Sequence, residues 1–366
     1  MDTKISNRLD YVDITKSIGM FTIIWGHIML TGWSNLLVYS FHIPLFFFLS
    51  GMMFNGSKYA SLGLFLKKRV KTLLIPYLIF SVLTWVLWVG LNCIQHNDVD
   101  IWMPLLETFI AQGSGGFLVH NVPLWFVTCL FVVEFLYYFI NKLPEWANLL
   151  CCVVCAIIGY FMVSGDNLEF YRLLPWNIEN AMSALVFYAL GNIIMKHISH
   201  QELQQLVARR RIIVLSGIAV LTAVLVYSSG VNGHISVGSN KLGENAIVFY
   251  INAFIGIVTT LCFCIILSLL NPSTKVGKAI SAYIKWFGKN SFYVMATHVP
   301  VKGILVMAVA SIAHVPTMTV CSNIPLSLIV FIPTIAIDSI IVYVVCWIKK
   351  KDEQFVLARK GNTKVK

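Results

Sequence analysis

An all-α fold, a polytopic bundle of about ten transmembrane helices, is what this sequence predicts, and three observations carry the prediction. Of the 366 residues, 58% are hydrophobic and only 12% charged, about half the charged share with which a soluble domain covers its surface. Apolar runs of about 20 residues, long enough to cross a hydrocarbon core, recur almost from one end of the chain to the other. Lys and Arg gather in alternate loops, which marks the cytoplasmic side of a multi-span protein. The net charge of +11, from 27 basic and 16 acidic residues, then belongs to cytoplasmic loops, and no nucleic-acid partner is expected. The nine cysteines lie mostly inside apolar runs and read as small buried side chains. Cys152 and Cys155 have no second ligand pair to complete a metal site, so no metal is expected.

In chain order the spans fall near Ile14–Trp33, Leu37–Phe54, Leu73–Cys93, Val122–Ile140, Ala147–Val163, Ile178–Met195, Ile212–Tyr227, Ala246–Leu270, Ser291–Ala313 and Pro325–Ile348. The first run is too long for a signal-peptide core and is expected to stay in the mature protein. With ten spans, the basic stretches fall on one side. These are Lys4, Arg8 and Lys16; Lys58 to Lys71; Lys196 to Arg211; Lys275 to Lys289; and the tail from Lys349. On the other side only Arg172 and Lys241 interrupt the pattern, so both termini are expected in the cytoplasm. No polar segment is long enough for a soluble domain. The chain reads as one integral-membrane domain over 1–366, with a core of about 8–348 and a basic tail at 349–366. The longest outer loop, Ile94–Asn121, with its Gly113–Gly116 run, either lies across a cavity mouth or merely joins two spans.

The first two spans form an apolar hairpin, expected to turn at Gly32-Trp33-Ser34-Asn35, and each carries a histidine, His27 and His42. Ionisable groups at membrane depth point to function. On a helix, Lys16 and His27 lie on one face within about 20° and about 16 Å apart along the axis, with Asp13 near the same stripe. Asp13 and Lys16 read either as an interfacial ion pair or as part of that working face. His42 should sit at the depth of His27, beside a bend made by Pro44. It either shares a polar cavity or bonds a backbone carbonyl. An imidazole that is neutral near pH 7 suits proton removal from a hydroxyl, and His27 is the candidate base. Ser50 is expected to bond the preceding turn.

Glu134, Glu179, Asn180, Asn252, His298, Lys302 and Asp338 also lie at membrane depth. Glu134 and Asp338 should face the interior, with Lys302 as the available cation for either. Lys68, Arg69 and Lys71 read either as a topology signal alone or as a docking site for a phosphorylated cytoplasmic donor. His42-Ile-Pro-Leu and His298-Val-Pro-Val form a short echo, too brief to establish an inverted repeat. A proton-coupled transporter or exporter of a polysaccharide precursor, which also buries His, Glu and Asp, is the competing reading. A catalytically idle assembly factor is a third.

Several motifs resemble the membrane-bound acyltransferase family 3, the O-acyltransferases of bacterial surface polysaccharides. They are Asp13-Ile-Thr-Lys16 with Gly26-His27, Phe41-His-Ile-Pro-Leu-Phe-Phe-Phe-Leu-Ser-Gly51, Lys68-Arg69-Val-Lys71 running into Pro76-Tyr77, Pro123-Leu-Trp125-Phe126, and Gly288-Lys-Asn290-Ser291 leading to His298. The resemblance implies an enzyme of the bacterial cytoplasmic membrane that takes an acyl group, usually acetyl, from acyl-CoA. The group passes to a hydroxyl of a cell-surface or lipid-linked sugar, and no resident cofactor is needed. It implies His27 as the catalytic histidine, with Lys16 where the family has arginine, and Asp13 beside them. Lys68, Arg69 and Lys71 then serve the donor, although the family's Arg-x-x-Arg spacing meets Thr72 here. His42, Trp125, Glu134 and His298 are left to the acceptor and the cavity wall.

Overall fold

The computed structural model describes residues 9–113, 117–163 and 174–362. Lys4, Arg8, Arg172, residues 114–116 of the glycine run and the tail end at 363–366 lie outside them. Helices dominate. In order they are α1 (Asp10–Ile28), α2 (Trp33–Tyr39), α3 (His42–Met52), α4 (Leu62–Arg69), α5 (Ile75–Ile94), α6 (Met103–Ile110), α7 (Trp125–Ile140) and α8 (Glu145–Val163). Next come α9 (Ile178–His197), α10 (His200–Arg209) and α11 (Arg211–Asn232), followed by a small hairpin of β1 (Ile235–Ser236) and β2 (Lys241–Leu242). The chain closes with α12 (Ala246–Leu269), α13 (Lys275–Lys289), α14 (Ser291–Ala313), α15 (Thr317–Ser322) and α16 (Ile324–Asn362).

Among the described residues, nine helical stretches are long and apolar enough to cross a membrane. They coincide with nine of the ten expected spans. The remaining expected span is α1, whose Asp10, Asp13 and Lys16 lower its hydropathy. It is nonetheless a central helix, packed against α2, α3, α12, α13, α14 and α16. Tyr11, Ile24 and Ile28 on it are fully buried. Close approach fixes its neighbours. A Cβ on Gly288 would stand 1.8 Å from the Asp13 carbonyl oxygen, so α13 meets α1 backbone to backbone. Between α3 and α9, a Cβ on Gly51 would lie 2.0 Å from Tyr188 O and one on Gly191 2.2 Å from Phe48 O. Small residues let helices touch in this way where lipid gives no hydrophobic drive for pairing.

The first hairpin departs from expectation at its turn. Helix α1 stops at Ile28, and the reversal runs through Met29–Gly32, with Gly32 at φ 80°. Trp33 and Ser34 already belong to α2. The cause is Asn35, whose Nδ2 donates to Gly26 O at 3.2 Å and Met29 O at 2.7 Å, taking up carbonyls that the end of α1 leaves open. Pro44 does not bend the second span. The break lies upstream, at Ser40–Phe41, and Pro44 occupies the first turn of α3, where a missing N–H costs nothing.

The outer loop after α5 is anchored across the bundle. Thr108 O receives the Tyr77 hydroxyl at 2.6 Å, Ile101 O receives Trp85 Nε1 at 2.7 Å, and Gly113 N donates to Asn177 Oδ1 at 2.8 Å. A Cβ on Gly113 would lie 2.7 Å from the Trp125 ring, and one on Gly238 3.0 Å from it. The loop and the β1–β2 hairpin therefore both rest on Trp125, the first residue of α7.

Candidate active site

The stripe on α1 opens into a cavity of about 190 Å³. Lys16, Met20, Ile23 and His27 line it from α1, and Ile43, Phe46 and Ser50 from α3. Leu73, the residues Pro123 to Val127 (Leu124 excepted), Leu130, and Ser291, Phe292 and Met295 complete the wall. The eleven-residue spacing thus does what helix geometry requires, with Lys16 and His27 facing one space. Asp13 does not line it. It is 5% exposed, below Lys16, where its backbone meets α13. Ser50 donates to Phe46 O at 2.8 Å, the expected bond to the preceding turn.

Four imidazoles and a phenol converge at the far end, His234 among them at 6.0 Å from the Tyr39 ring. The His27 ring lies 5.2 Å from His298 and 6.4 Å from Tyr39, and Tyr39 lies 4.8 Å from His42. His298 is fully buried, and its Nδ1 meets two carbonyls, Met295 O at 2.8 Å and Val294 O at 3.1 Å. Carbonyls only accept, so the neutral ring carries its proton on Nδ1. Its Nε2 is then a buried lone pair, without a hydrogen-bond partner among the described residues. A lone pair beside His27 suits an N–H from that ring, which would leave the other His27 nitrogen as a base. His42, 2% exposed, is likewise held through Nδ1, to Val38 O at 2.5 Å. It stands behind Tyr39 rather than in the cavity wall.

Pro300 explains how α14 is set. It has no N–H for Ala296 O, and Asn121 Nδ2 takes that carbonyl at 2.8 Å, as a proline inside a buried helix requires. Asn121 and Tyr39 do not stand out in the sequence as site residues. A proline within an apolar helix signals that a donor for the freed carbonyl must come from elsewhere, and Tyr39 lies one turn before His42.

Glu134 sits apart from this cavity. Its Oε2 lies 2.8 Å from Arg69 Nε, an ion pair without hydrogen-bond alignment. The Arg69 guanidinium also lies over the Phe65 ring at 5.6 Å and the Tyr59 ring at 5.9 Å. Asp338 accepts from Thr297 Oγ1 at 2.8 Å. Among the described residues, then, Lys302 pairs with neither carboxylate. Lys68 and Lys71 are exposed. Between α4 and α5, Val70–Leu74 forms a π-helical turn that includes Lys71. Pro76, which offers no N–H to Thr72 O, favours that widening. Through it the basic rim and Leu73 of the cavity wall share one backbone segment.

No curated protein and no solved structure matches the chain. A family model described as an acyltransferase domain matches residues 9–344, nearly the whole bundle and every residue of the cavity. On that match the chain belongs to acyltransferase family 3, a membrane acyltransferase.

Proposed function

We propose that the protein moves an acyl group, in the first instance acetyl, from cytoplasmic acyl-CoA to a hydroxyl of a cell-surface or lipid-linked sugar. The setting is the bacterial cytoplasmic membrane, with both termini inside. The observation that carries this reading is the shared cavity of Lys16 and His27, one cation toward the basic rim and one imidazole toward the outer end. Acyl-CoA is charged and confined to the cytoplasm, so its thioester arm enters from the rim. The acceptor comes from the outer side or laterally from the bilayer.

In this mechanism His27 takes the acceptor hydroxyl proton as the oxygen attacks the thioester carbonyl carbon. The new C–O bond forms, the C–S bond breaks, and His27 returns the proton to the departing thiolate. The products are an ester and free CoA thiol. His298 is a positioning residue that holds the His27 tautomer, in the way a third group orients the base of a nucleophile–base pair. Lys16 places positive charge along the donor path, and Trp125 closes the acceptor end.

The test is glycan analysis of cells with and without the gene. An ester on a defined sugar should vanish on deletion, return with the wild-type gene, and stay absent with His27→Ala expressed at equal level. Unchanged ester content on deletion would overturn the reading. So would export failing while esterification persists, as the transporter alternative requires.

A further inference from the structure

The cations that the sequence offers for the donor, Lys68, Arg69 and Lys71, are not in the lining of the cavity that holds Lys16 and His27. Arg69 is committed to Glu134, and the two lysines stand exposed on the α4–α5 junction. A second cavity, of about 450 Å³, lies at the same end of the bundle, beneath the last turn of α3. That volume is within the usual range of small-molecule sites.

Its lining joins three kinds of chemistry. Lys58, just after α3, and Lys196, at the end of α9, bring two ammonium groups. Both are exposed, and among the described residues neither is in an ion pair. Met52, Met53 and Met195 bring soft apolar surface, suited to a flat ring. Asn141 brings a carboxamide to the same lining. The carboxylates on nearby helix ends are occupied: Glu145 with His197 at 2.7 Å and Glu202 with the Ser199 N–H at 2.8 Å.

Helix α1 strings this cavity to the first. The Tyr11 hydroxyl is 2.6 Å from Nδ1 of His200, a residue of the second cavity, while Lys16 and His27 line the first. Along the helix axis Tyr11 and His27 are about 24 Å apart, with Lys16 between them. On α3, Ser50 of the first cavity and Met53 of the second are about 4.5 Å apart in height. A molecule with phosphates and a purine at one end, and a thioester at the end of a long arm, matches two cavities so arranged.

We infer that the phosphorylated nucleotide end of the acyl donor sits in the cavity of Lys58, Lys196 and Asn141, and not on the Lys68–Lys71 cluster. The inference rests on acyl-CoA being the donor. Close-set cations bind phosphate by charge-assisted hydrogen bonds, worth about tenfold in affinity or more for a pair of lysines.

The experiment uses the full-length protein in lipid nanodiscs. It compares KM for acetyl-CoA and acetyl-pantetheine, and Kd for CoA, in wild type, Lys58→Ala/Lys196→Ala and Lys68→Ala/Lys71→Ala. The expected result is a Kd for CoA weakened about tenfold or more in Lys58→Ala/Lys196→Ala. The wild-type preference for acetyl-CoA over acetyl-pantetheine should be largely lost there, with the thermal midpoint unchanged. Adenosine 3′,5′-bisphosphate should compete with CoA in the wild type and lose that ability in the variant. The inference is overturned if the preference survives in Lys58→Ala/Lys196→Ala, or if its loss follows Lys68 and Lys71. It is also overturned if the variant's defect tracks the phosphatidylglycerol content of the disc, which would make the cavity a lipid-headgroup site. A wild-type protein that binds CoA and uses acetyl-CoA in those cases leaves the donor reading standing. A wild-type protein that neither binds CoA nor uses either thioester overturns both.

Discussion

Two His-x-Pro segments, His42–Pro44 and His298–Pro300, anchor their rings alike, each through Nδ1 to the carbonyl four residues back, Val38 at 2.5 Å and Val294 at 3.1 Å. They differ in what surrounds that shared bond. Pro44 falls in the first turn of α3, where its missing N–H leaves nothing to repair. Pro300 falls inside α14 and frees Ala296 O, which Asn121 must reach across from the outer loop to satisfy. The second ring nitrogen differs too. In His298 it is a buried lone pair beside the His27 ring, whereas the His42 ring packs against Tyr39. A common local motif fixes the tautomer, and the tertiary setting decides whether the remaining nitrogen meets the chemistry.

That contrast can be broken experimentally, and His298 should give the largest effect. His298→Ala is expected to lower kcat about 10²-fold with little change in CoA binding, because it removes the acceptor that orients His27. A raised KM alone, with kcat unchanged, would make His298 a packing residue only. Next comes Asn121→Ala, which leaves Ala296 O unpaired in a buried helix and should cost about 2 kcal/mol of stability. That loss is readable as a lowered thermal midpoint, with activity falling alongside. His42→Ala should be milder, about fivefold in kcat, because its ring acts through Tyr39 packing. An effect equal to that of His298→Ala would erase the distinction between the two segments.

The smallest expected effect concerns His120, next to Asn121 in the outer loop. It is 4% exposed, both ring nitrogens lack partners among the described residues, and burial lowers its pKa to about 4. The folded ring therefore stays neutral while an unfolded chain takes up a proton below about pH 6.5. Its contribution to stability is complete above that pH and is lost as the pH falls toward 4. Between pH 7.5 and 5.5 the cost is about 1 kcal/mol, and His120→Phe should flatten the dependence of the thermal midpoint on pH.

The spans and the Lys16–His27 stripe were legible because both are properties of one helix. Apolar length marks a span, and an eleven-residue spacing returns to the same face whatever packs against it. The Ser50 bond to Phe46 O is equally local. What the sequence could not show depends on distant segments meeting. Arg69 reads as a free cation until α7 brings Glu134 to 2.8 Å. Lys58, Asn141 and Lys196 come from three separate segments, and the packing of α3 and α7 against α9 joins them. The turn was misplaced for a related reason. Gly-Trp-Ser-Asn has turn composition, but Asn35 spends its amide on the end of α1 and starts a helix around itself.

His27 is the group that would move the proton, and one measurement addresses it. Full-length wild type and His27→Ala, matched for thermal midpoint and for CoA affinity, are compared for acetyl transfer from acetyl-CoA to an acceptor sugar. Loss of the base should reduce turnover by about 10²- to 10⁴-fold while CoA still binds. Full turnover by folded His27→Ala would contradict the account.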